Sequence, residues 1–341
     1  MATINDVAKR AGVSPTTAKR AIRSPDKLKA ETLLRVQSAI DELQYEPDKL
    51  ASALRSGHST TIGLIVGSIV EHFFAQLTRT IAKEVRQKGY TLVIADNEYN
   101  TKLELEQLKA FNGERIAGLI LRSGYGHSNL DYLKRMRERG TAIVEIDHIA
   151  DNSPFSYVML DNEACMFEGV SYLARLGHKR IAALGSYHPE LLSDERVQAF
   201  PKAMKRAGLS VPDTFKAAIS PTQEAAYDLT HKLMRLSEPP TAIFAITGNM
   251  AIGTFRALRE LGLRIPEDVS LLSFDNYPWT SLVEPPIDVI EQPAKDMAKQ
   301  AVQLVFDHLE HPEKLVEQQR FAGRLIRRGS CQAPRRDYSF A

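Results

Sequence analysis

The side chains with the most legible chemistry lie near the N-terminus, in VSPTTAKRAI at 13–22. Ser14 followed by Pro15 is a helix start. The hydroxyl caps free backbone N–H groups, and proline at the first helical position gives up an N–H that has no partner anyway. The helix that follows presents Thr16, Thr17, Lys19, Arg20 and Arg23, with only Ala18, Ala21 and Ile22 to pack. Such a face suits a polyanion. Arg20 has the forked donors that pair with guanine, Thr16 can touch a thymine methyl or a base edge, and Thr17 and Lys19 can hold phosphates. Just upstream, Thr3 with Asp6 three residues on reads as a capping box ahead of Ile4, Val7, Ala8 and Ala11, and Gly12 stops that first helix. Two short helices joined by a glycine turn make a helix-turn-helix. A third helix, at roughly 31–44, is expected to bury Leu34, Ile40 and Leu43 against them. Thr3, Ser14, Pro15, Thr16, Thr17, Lys19, Arg20 and Arg23 are therefore the candidate DNA-contacting residues of this head.

Charge distribution agrees. The net charge is only +2, yet residues 1–35 carry eight Lys and Arg against three Asp and Glu, which leaves about −3 on everything after them. A basic head on a mildly acidic body points the head at nucleic acid. The 341 residues exceed one typical domain and suggest two or three. Composition is that of a soluble globular protein, 43% hydrophobic and 25% charged. No apolar run approaches membrane-spanning length, and MATINDVAKR lacks the apolar stretch of a signal peptide, so a cytoplasmic protein with no membrane partner is expected. The two cysteines, Cys165 and Cys331, are far apart and read as buried thiols, without a metal-type spacing.

A second set of side chains follows apolar strands. From Thr60 the chain alternates strand and helix: TTIGLIV, a helix marked by Phe74, Leu77, Ile81 and Val85 and ended at Gly89, then YTLVIAD, AGLILRS, TAIVEI, RIAALGS, TAIFAI and VSLLSFD. This is an α/β pattern with parallel sheets. It holds too many strands for one small sheet, and VMLDN at 158–162 sits between two groups of them. Two doubly wound subdomains with a cleft between them fit best. Ligands in such sheets collect at the carboxyl ends of strands. The candidates there are Arg122 after GLIL, His148 after TAIVEID, Arg196 at a helix start after RIAALGS, Thr247 after AIFAI, Asp275 at the end of VSLLSFD, Gln292 at the end of DVIEQ, and Phe73 and Phe74 after the first strand. Trp279, the only tryptophan, either covers the apolar face of a ring-shaped ligand or anchors a contact between monomers.

The motifs ATINDVAKRAGVS, YEPDKLASALRSGHSTTIGLI, LGHKRIAALG, RVQAF, PPTAIFAI, IPEDVSLLSFDN, EPPIDVIEQP and RLIRRGS, in this order over nearly the whole chain, resemble the LacI/GalR bacterial transcription regulators. The resemblance implies an N-terminal all-α helix-turn-helix head plus a two-lobed, periplasmic-binding-protein-like effector domain. It implies a head at 1–46, a hinge at 47–59, and an effector-binding and dimerisation domain at 60–341. Lobe 1 then takes about 60–161 and 293–321, and lobe 2 about 162–292 and 322–341. Composition alone makes 47–59 a plain linker. The resemblance makes it a hinge helix that folds on DNA, pairs through small residues such as Ala51 and inserts Leu54 into the minor groove, a known way to kink the duplex. It also makes Arg196 and Asp275 the effector anchors, a carboxylate and a guanidinium suited to paired hydroxyls. Departures are informative. Lys19 stands where the family usually has serine, and Thr247-Gly248 where it often has Asn-Asp. Glu190 and Leu192 replace the Arg and Thr of purine-binding members, which argues against a purine.

No cofactor is expected. GYGHSN at 124–129 has two glycines and then fails the dinucleotide pattern, and H-E-x-x-H, G-x-S-x-G and a phosphate loop are absent from the sequence. A non-enzymatic repressor is the expectation, with near-palindromic operator DNA and a sugar-like effector as partners and a homodimer as the assembly. The tail CQAPRRDYSFA has no leucine heptads to build a tetramer. The alternative is a catabolite-control-type regulator whose input is a phosphorylated carrier protein. A transport-type sugar-binding protein would need export and would have no use for the basic head.

Overall fold

The computed structural model describes residues 2–45, 59–185, 194–217 and 219–335. Two compact units divide the chain, Met1–Ser59 and Thr60–Ala341. Ala51 and Leu54, with Glu190 and Leu192, lie outside the described residues.

The first unit is three helices, α1 (Ile4–Ala11), α2 (Pro15–Arg23) and α3 (Ala30–Leu43). Its helix ends follow from sequence. Asp6 N–H donates to Thr3 Oγ1 at 3.3 Å and Thr3 N–H to Asp6 Oδ2 at 2.8 Å, closing the capping box. Gly12 ends α1 at φ +63°, where an L side chain is strained. Ser14 Oγ accepts from Thr17 N–H at 3.1 Å and Pro15 opens α2. The core is built of small residues, Val7, Ala8, Ala11, Ala18, Ala21, Val36 and Ala39, which let the helices approach closely. One expectation is corrected: Leu34 is 64% exposed. The buried stripe of α3 runs through Leu33, Val36, Ile40 and Leu43, at helical spacing, and Leu34 sits about 100° round from it.

The second unit holds two mostly parallel sheets flanked by helices. The first part of the chain gives β1 (Thr61–Val66), α4 (His72–Gln87), β2 (Thr91–Asp96), α5 (Thr101–Gly113), β3 (Gly118–Leu121), α6 (Leu130–Glu138), β4 (Ala142–Ile146) and β5 (Ser156–Leu160). The second gives α7 (Asn162–Arg175), β6 (Ile181–Leu184), α8 (Glu195–Arg206), α9 (Gln223–Leu233), β7 (Ala242–Ala245), α10 (Gly248–Glu260), β8 (Ser270–Phe274) and β9 (Asp288–Glu291). Then α11 (Ala294–Glu310) returns to pack on α4 and on β3, β4 and β5. Finally β10 (Gln318–Phe321) pairs with β5, and β11 (Arg324–Ile326) pairs antiparallel with β9. The sheet orders are β10-β5-β4-β3-β1-β2 and β11-β9-β8-β7-β6. Three chain crossings, after β5, β9 and β10, join the lobes. Strands buried on both faces, such as β1 and β3, read as near-continuous apolar runs for that reason.

Candidate functional site

Strand order reverses between β1 and β3, so the loops after them diverge and leave a crevice at their carboxyl ends. A cavity of about 80 Å³ lies there, walled by both lobes. All eight residues singled out at strand ends line it: Phe73, Phe74, Arg122 and His148 from lobe 1, Arg196, Thr247, Asp275 and Gln292 from lobe 2. Past Glu71, Tyr99, Tyr125 and Pro221 it continues into a wider cleft of about 1010 Å³.

On the lobe 2 wall, Arg196 stands in the first turn of α8. Its Nε donates to Asn162 Oδ1 and its Nη1 to Ile246 O, both at 2.8 Å, and its guanidinium lies 4.1 Å from the centre of the Phe274 ring. Burial alone would pull the Arg196 pKa down. The carboxylates of Asp275, Asp147 and Asp194 overcome that and hold the charge. Asp275 Oδ1 accepts from Gln292 Nε2 at 2.6 Å and Oδ2 from Gly248 N–H at 3.1 Å.

The lobe 1 wall repeats the scheme. Arg122, 2% exposed, lies 4.6 Å from the ring centre of Tyr99 and 4.4 Å from that of Tyr125. Its Nη1 donates to Ser123 O at 2.6 Å, while its Nε stands 3.5 Å from Asp147 Oδ2 with no hydrogen-bond partner. Asp147 follows β4 as Asp275 follows β8, and both carry left-handed backbones, φ +68° and +69°. Such conformations are uncommon for residues other than glycine and cluster at functional sites. The loop carrying Arg122 is pinned from below. Glu104 accepts from Gly124 N–H at 2.6 Å and Glu145 from Ser123 Oγ at 2.7 Å, both on buried carboxyls that burial pushes above the usual range.

Protonation states follow from this packing. Burial, with Arg122 beside it, pushes His148 down to about 3, so the ring is neutral and supplies no cation. Its Nδ1–H donates to Ser123 O at 3.0 Å. Burial pushes the Glu71 carboxyl up to about 7, although the Tyr99 hydroxyl donates to it, and burial likewise raises Asp147 despite Arg122 and Arg196.

Strand-end reasoning missed Glu71, Tyr99, Tyr125, Asp147, Asp194 and Glu195, which also line the cavity. The signal was present for several. Asp147 directly precedes His148, and Tyr99 and Tyr125 follow β2 and β3 by three and four residues. Trp279 is not among the lining residues; it packs on Phe255, with ring centres 5.7 Å apart, which removes it as a ring cover. Among the described residues no group of His, Cys, Asp and Glu could hold a metal ion, and no helix is long and apolar enough to cross a membrane.

In the first unit α2 exposes Pro15, Thr16, Lys19 and Arg20. Thr17 is half-buried, and its Oγ1 lies 2.9 Å from Ser14 Oγ, so this hydroxyl is engaged in the cap. Thr3 Oγ1 likewise donates to Asp6 Oδ2 at 2.7 Å. Arg23 closes the helix.

Residues 3–48 match the bacterial regulatory proteins of the lacI family, and residues 170–331 match the periplasmic binding protein-like domain. The HTH-type transcriptional repressor CytR of Escherichia coli (strain K12) is 30% identical over 97% of both chains. The HTH-type transcriptional repressor PurR of Salmonella arizonae is 31% identical over 99% of both. The Lac repressor dimer, solved bound to operator and the anti-inducer ONPF, superposes with a TM-score of 0.84 at 23% identity, covering 97% of this chain and 99% of that one. The helix-turn-helix head, the doubly wound lobes and this full-length similarity agree: the chain belongs to the LacI family of bacterial regulatory proteins.

Proposed function

We propose that the protein is a sequence-specific DNA-binding repressor, not an enzyme, acting in the cytoplasm as a homodimer under the control of a small polyhydroxy effector. The observation that carries this is the joining, in one chain, of an exposed Thr16–Lys19–Arg20 helix face to a cleft whose two walls each present a guanidinium and a carboxylate. Two heads on a two-fold dimer match a near-palindromic operator. Arg20 reads a base, Lys19 holds phosphate, and Ala51 and Leu54 form the hinge contact in the minor groove. In the cleft, Arg196 and Asp275 bind neighbouring hydroxyls from one side and Arg122 and Asp147 from the other, with Thr247 and Gln292 on the lobe 2 rim and Phe73 and Phe74 beneath the ligand. A phosphorylated sugar is disfavoured, because His148 is neutral and carboxylates outnumber guanidiniums around the cavity.

The test has two arms. Selection of operator sequences from random DNA identifies the site, and the purified protein is then titrated with sugars, polyols and a phosphorylated carrier protein while operator affinity is read. A sugar or polyol that changes operator affinity and loses its effect in Asp275→Asn supports the proposal. A response to the phosphorylated carrier alone selects the catabolite-control reading instead.

A further inference from the structure

The cavity wall holds five carboxylates, Glu71, Asp147, Asp194, Glu195 and Asp275, against two guanidiniums, Arg122 and Arg196. Among the described residues only Glu195 has a dedicated cation outside the wall: Arg320 grips it with both terminal nitrogens, at 2.7 and 2.9 Å. That leaves four carboxylates facing two guanidiniums. Residues 186–193, SYHPELLS, add no Lys or Arg to the sequence between β6 and α8. Nor does His148 help, since its ring is neutral.

A second observation is independent of charge. Gln292 is 8% exposed and gives its amide N–H to Asp275, and its Oε1 is a buried acceptor without any donor. On the lobe 2 wall, beside Asp275, the unfilled group is thus an acceptor; on the lobe 1 wall the unpartnered donor, Arg122 Nε, already stands 3.5 Å from Asp147 Oδ2. A hydroxyl brings one donor and two acceptor lone pairs, whereas an ammonium brings three donors, a positive charge and no acceptor. The raised carboxyls of Glu71 and Asp147 are the expected response of a wall that keeps surplus negative charge away from water.

We propose that the effector carries a protonated amine beside its hydroxyls, as an amino sugar or amino polyol does, with the ammonium held between Asp147, Asp275 and the free oxygen of Gln292. This rests on the reading that the cleft binds the effector. The class excluded is as specific as the class included: anionic ligands add to the surplus of negative charge, and N-acylated sugars bring no positive charge to offset it.

The test is a matched panel at pH 7.5: glucose, galactose, mannose and sorbitol, each beside its amino and N-acetylamino counterpart, screened by thermal shift and then calorimetry on the full-length protein. The tightest binder is expected to carry a free amine and to exceed its hydroxyl counterpart by ten-fold or more. Asp147→Asn should cut that advantage below three-fold. A tightest binder that is neutral, and that is lost in Arg196→Lys, overturns the amine and leaves the cleft reading standing. A panel in which nothing binds also overturns the amine. Amine binding that is indifferent to both substitutions overturns the amine and the cleft reading together.

Discussion

Replacing Arg196 by alanine should damage the folded protein before any ligand is added. The guanidinium makes two hydrogen bonds at 2.8 Å, to Asn162 Oδ1 and Ile246 O, and lies against Phe274. Each bond to a charged group contributes about 1.5–3 kcal/mol. Arg196 is 9% exposed, and Asp275 and Asp147 face it, so alanine also leaves their charge uncompensated. Breaking a buried pair from one side costs about 3–5 kcal/mol. These terms describe the same contacts and do not add, so the expected loss is about 3–5 kcal/mol, a large part of the ~5–15 kcal/mol that keeps a domain folded. Lysine retains the charge but has no planar fork to reach both acceptors, and should lose about 1–3 kcal/mol.

The assay is urea unfolding followed by the fluorescence of Trp279, the only tryptophan, which packs on Phe255 in the same lobe. Arg196→Ala should unfold at clearly lower urea with an unchanged slope. A midpoint indistinguishable from that of the original protein would refute the reasoning, since it would mean the guanidinium supports nothing until ligand arrives. A practical consequence follows for ligand work. Effector affinities measured in Arg196→Ala mix lost contact with lost structure, so Arg196→Lys is the variant to titrate.

In the head, Arg20→Ala should cost about 1–3 kcal/mol on the selected operator and blur preference at one base position, whereas Lys19→Ala should weaken all sequences alike and flatten the salt dependence. Equal loss on operator and random DNA for Arg20→Ala would remove its base-reading role. Glu71, pushed from 4.5 to about 7, binds its proton more tightly folded than unfolded, so ionising it costs stability that is fully lost above pH 7 and recovered below about 4.5. Glu71→Gln should therefore stabilise by about 1–3 kcal/mol at pH 8 and by well under half of that at pH 5 in thermal melts; a pH-independent difference would contradict this. Gly248→Ala puts a methyl 2.5 Å from the Tyr277 ring and should cost about 1–3 kcal/mol, with less than additive loss when Tyr277 is reduced to leucine in the same chain; strict additivity in a double-mutant cycle would separate the two residues.

Local signals made the head legible down to its caps, because Thr3, Asp6, Gly12, Ser14 and Pro15 act over three or four residues. Leu34 was misplaced since Leu33 and Leu34 are adjacent leucines and only one can face the core; Val36 and Ile40 select Leu33. In the second unit, apolar runs located the strands, and the rule that ligands gather at strand carboxyl ends located the cavity. That rule works residue by residue along the chain and says nothing about charge balance. It took His148 over its neighbour Asp147, although the histidine is held neutral and the aspartate carries the strained backbone. Gly248 shows the opposite limit. In sequence it is a departure from the family's common aspartate; in the structure, the place of its missing side chain is filled by Tyr277, twenty-nine residues further on. No local pattern records such an exchange.

Ligand control needs the two lobes to have more than one arrangement, and a ligand moves that balance only by binding the arrangements unequally. The N-terminus of α8 is where this inequality can arise. Asp194, Glu195 and Arg196 are consecutive. Arg196 faces the cavity, while its two predecessors hold lobe 1: Tyr125 donates to Asp194 at 3.3 Å, and Arg320 of β10 forks onto Glu195. A ligand that pulls on Arg196 acts on the same helix turn that carries both interlobe contacts. The opposite rim is closed by Tyr277 of lobe 2 against His72 of lobe 1, with ring centres 5.2 Å apart, and Tyr277 stands two residues after Asp275. Each charged anchor of lobe 2 is thus joined through one or two residues of backbone to a contact with lobe 1. A ligand that binds Arg196 and Asp275 as proposed therefore acts directly on these interlobe contacts. Linkage then requires the reverse: substitutions that weaken these contacts, Arg320→Ala first among them, must change effector affinity without touching the ligand.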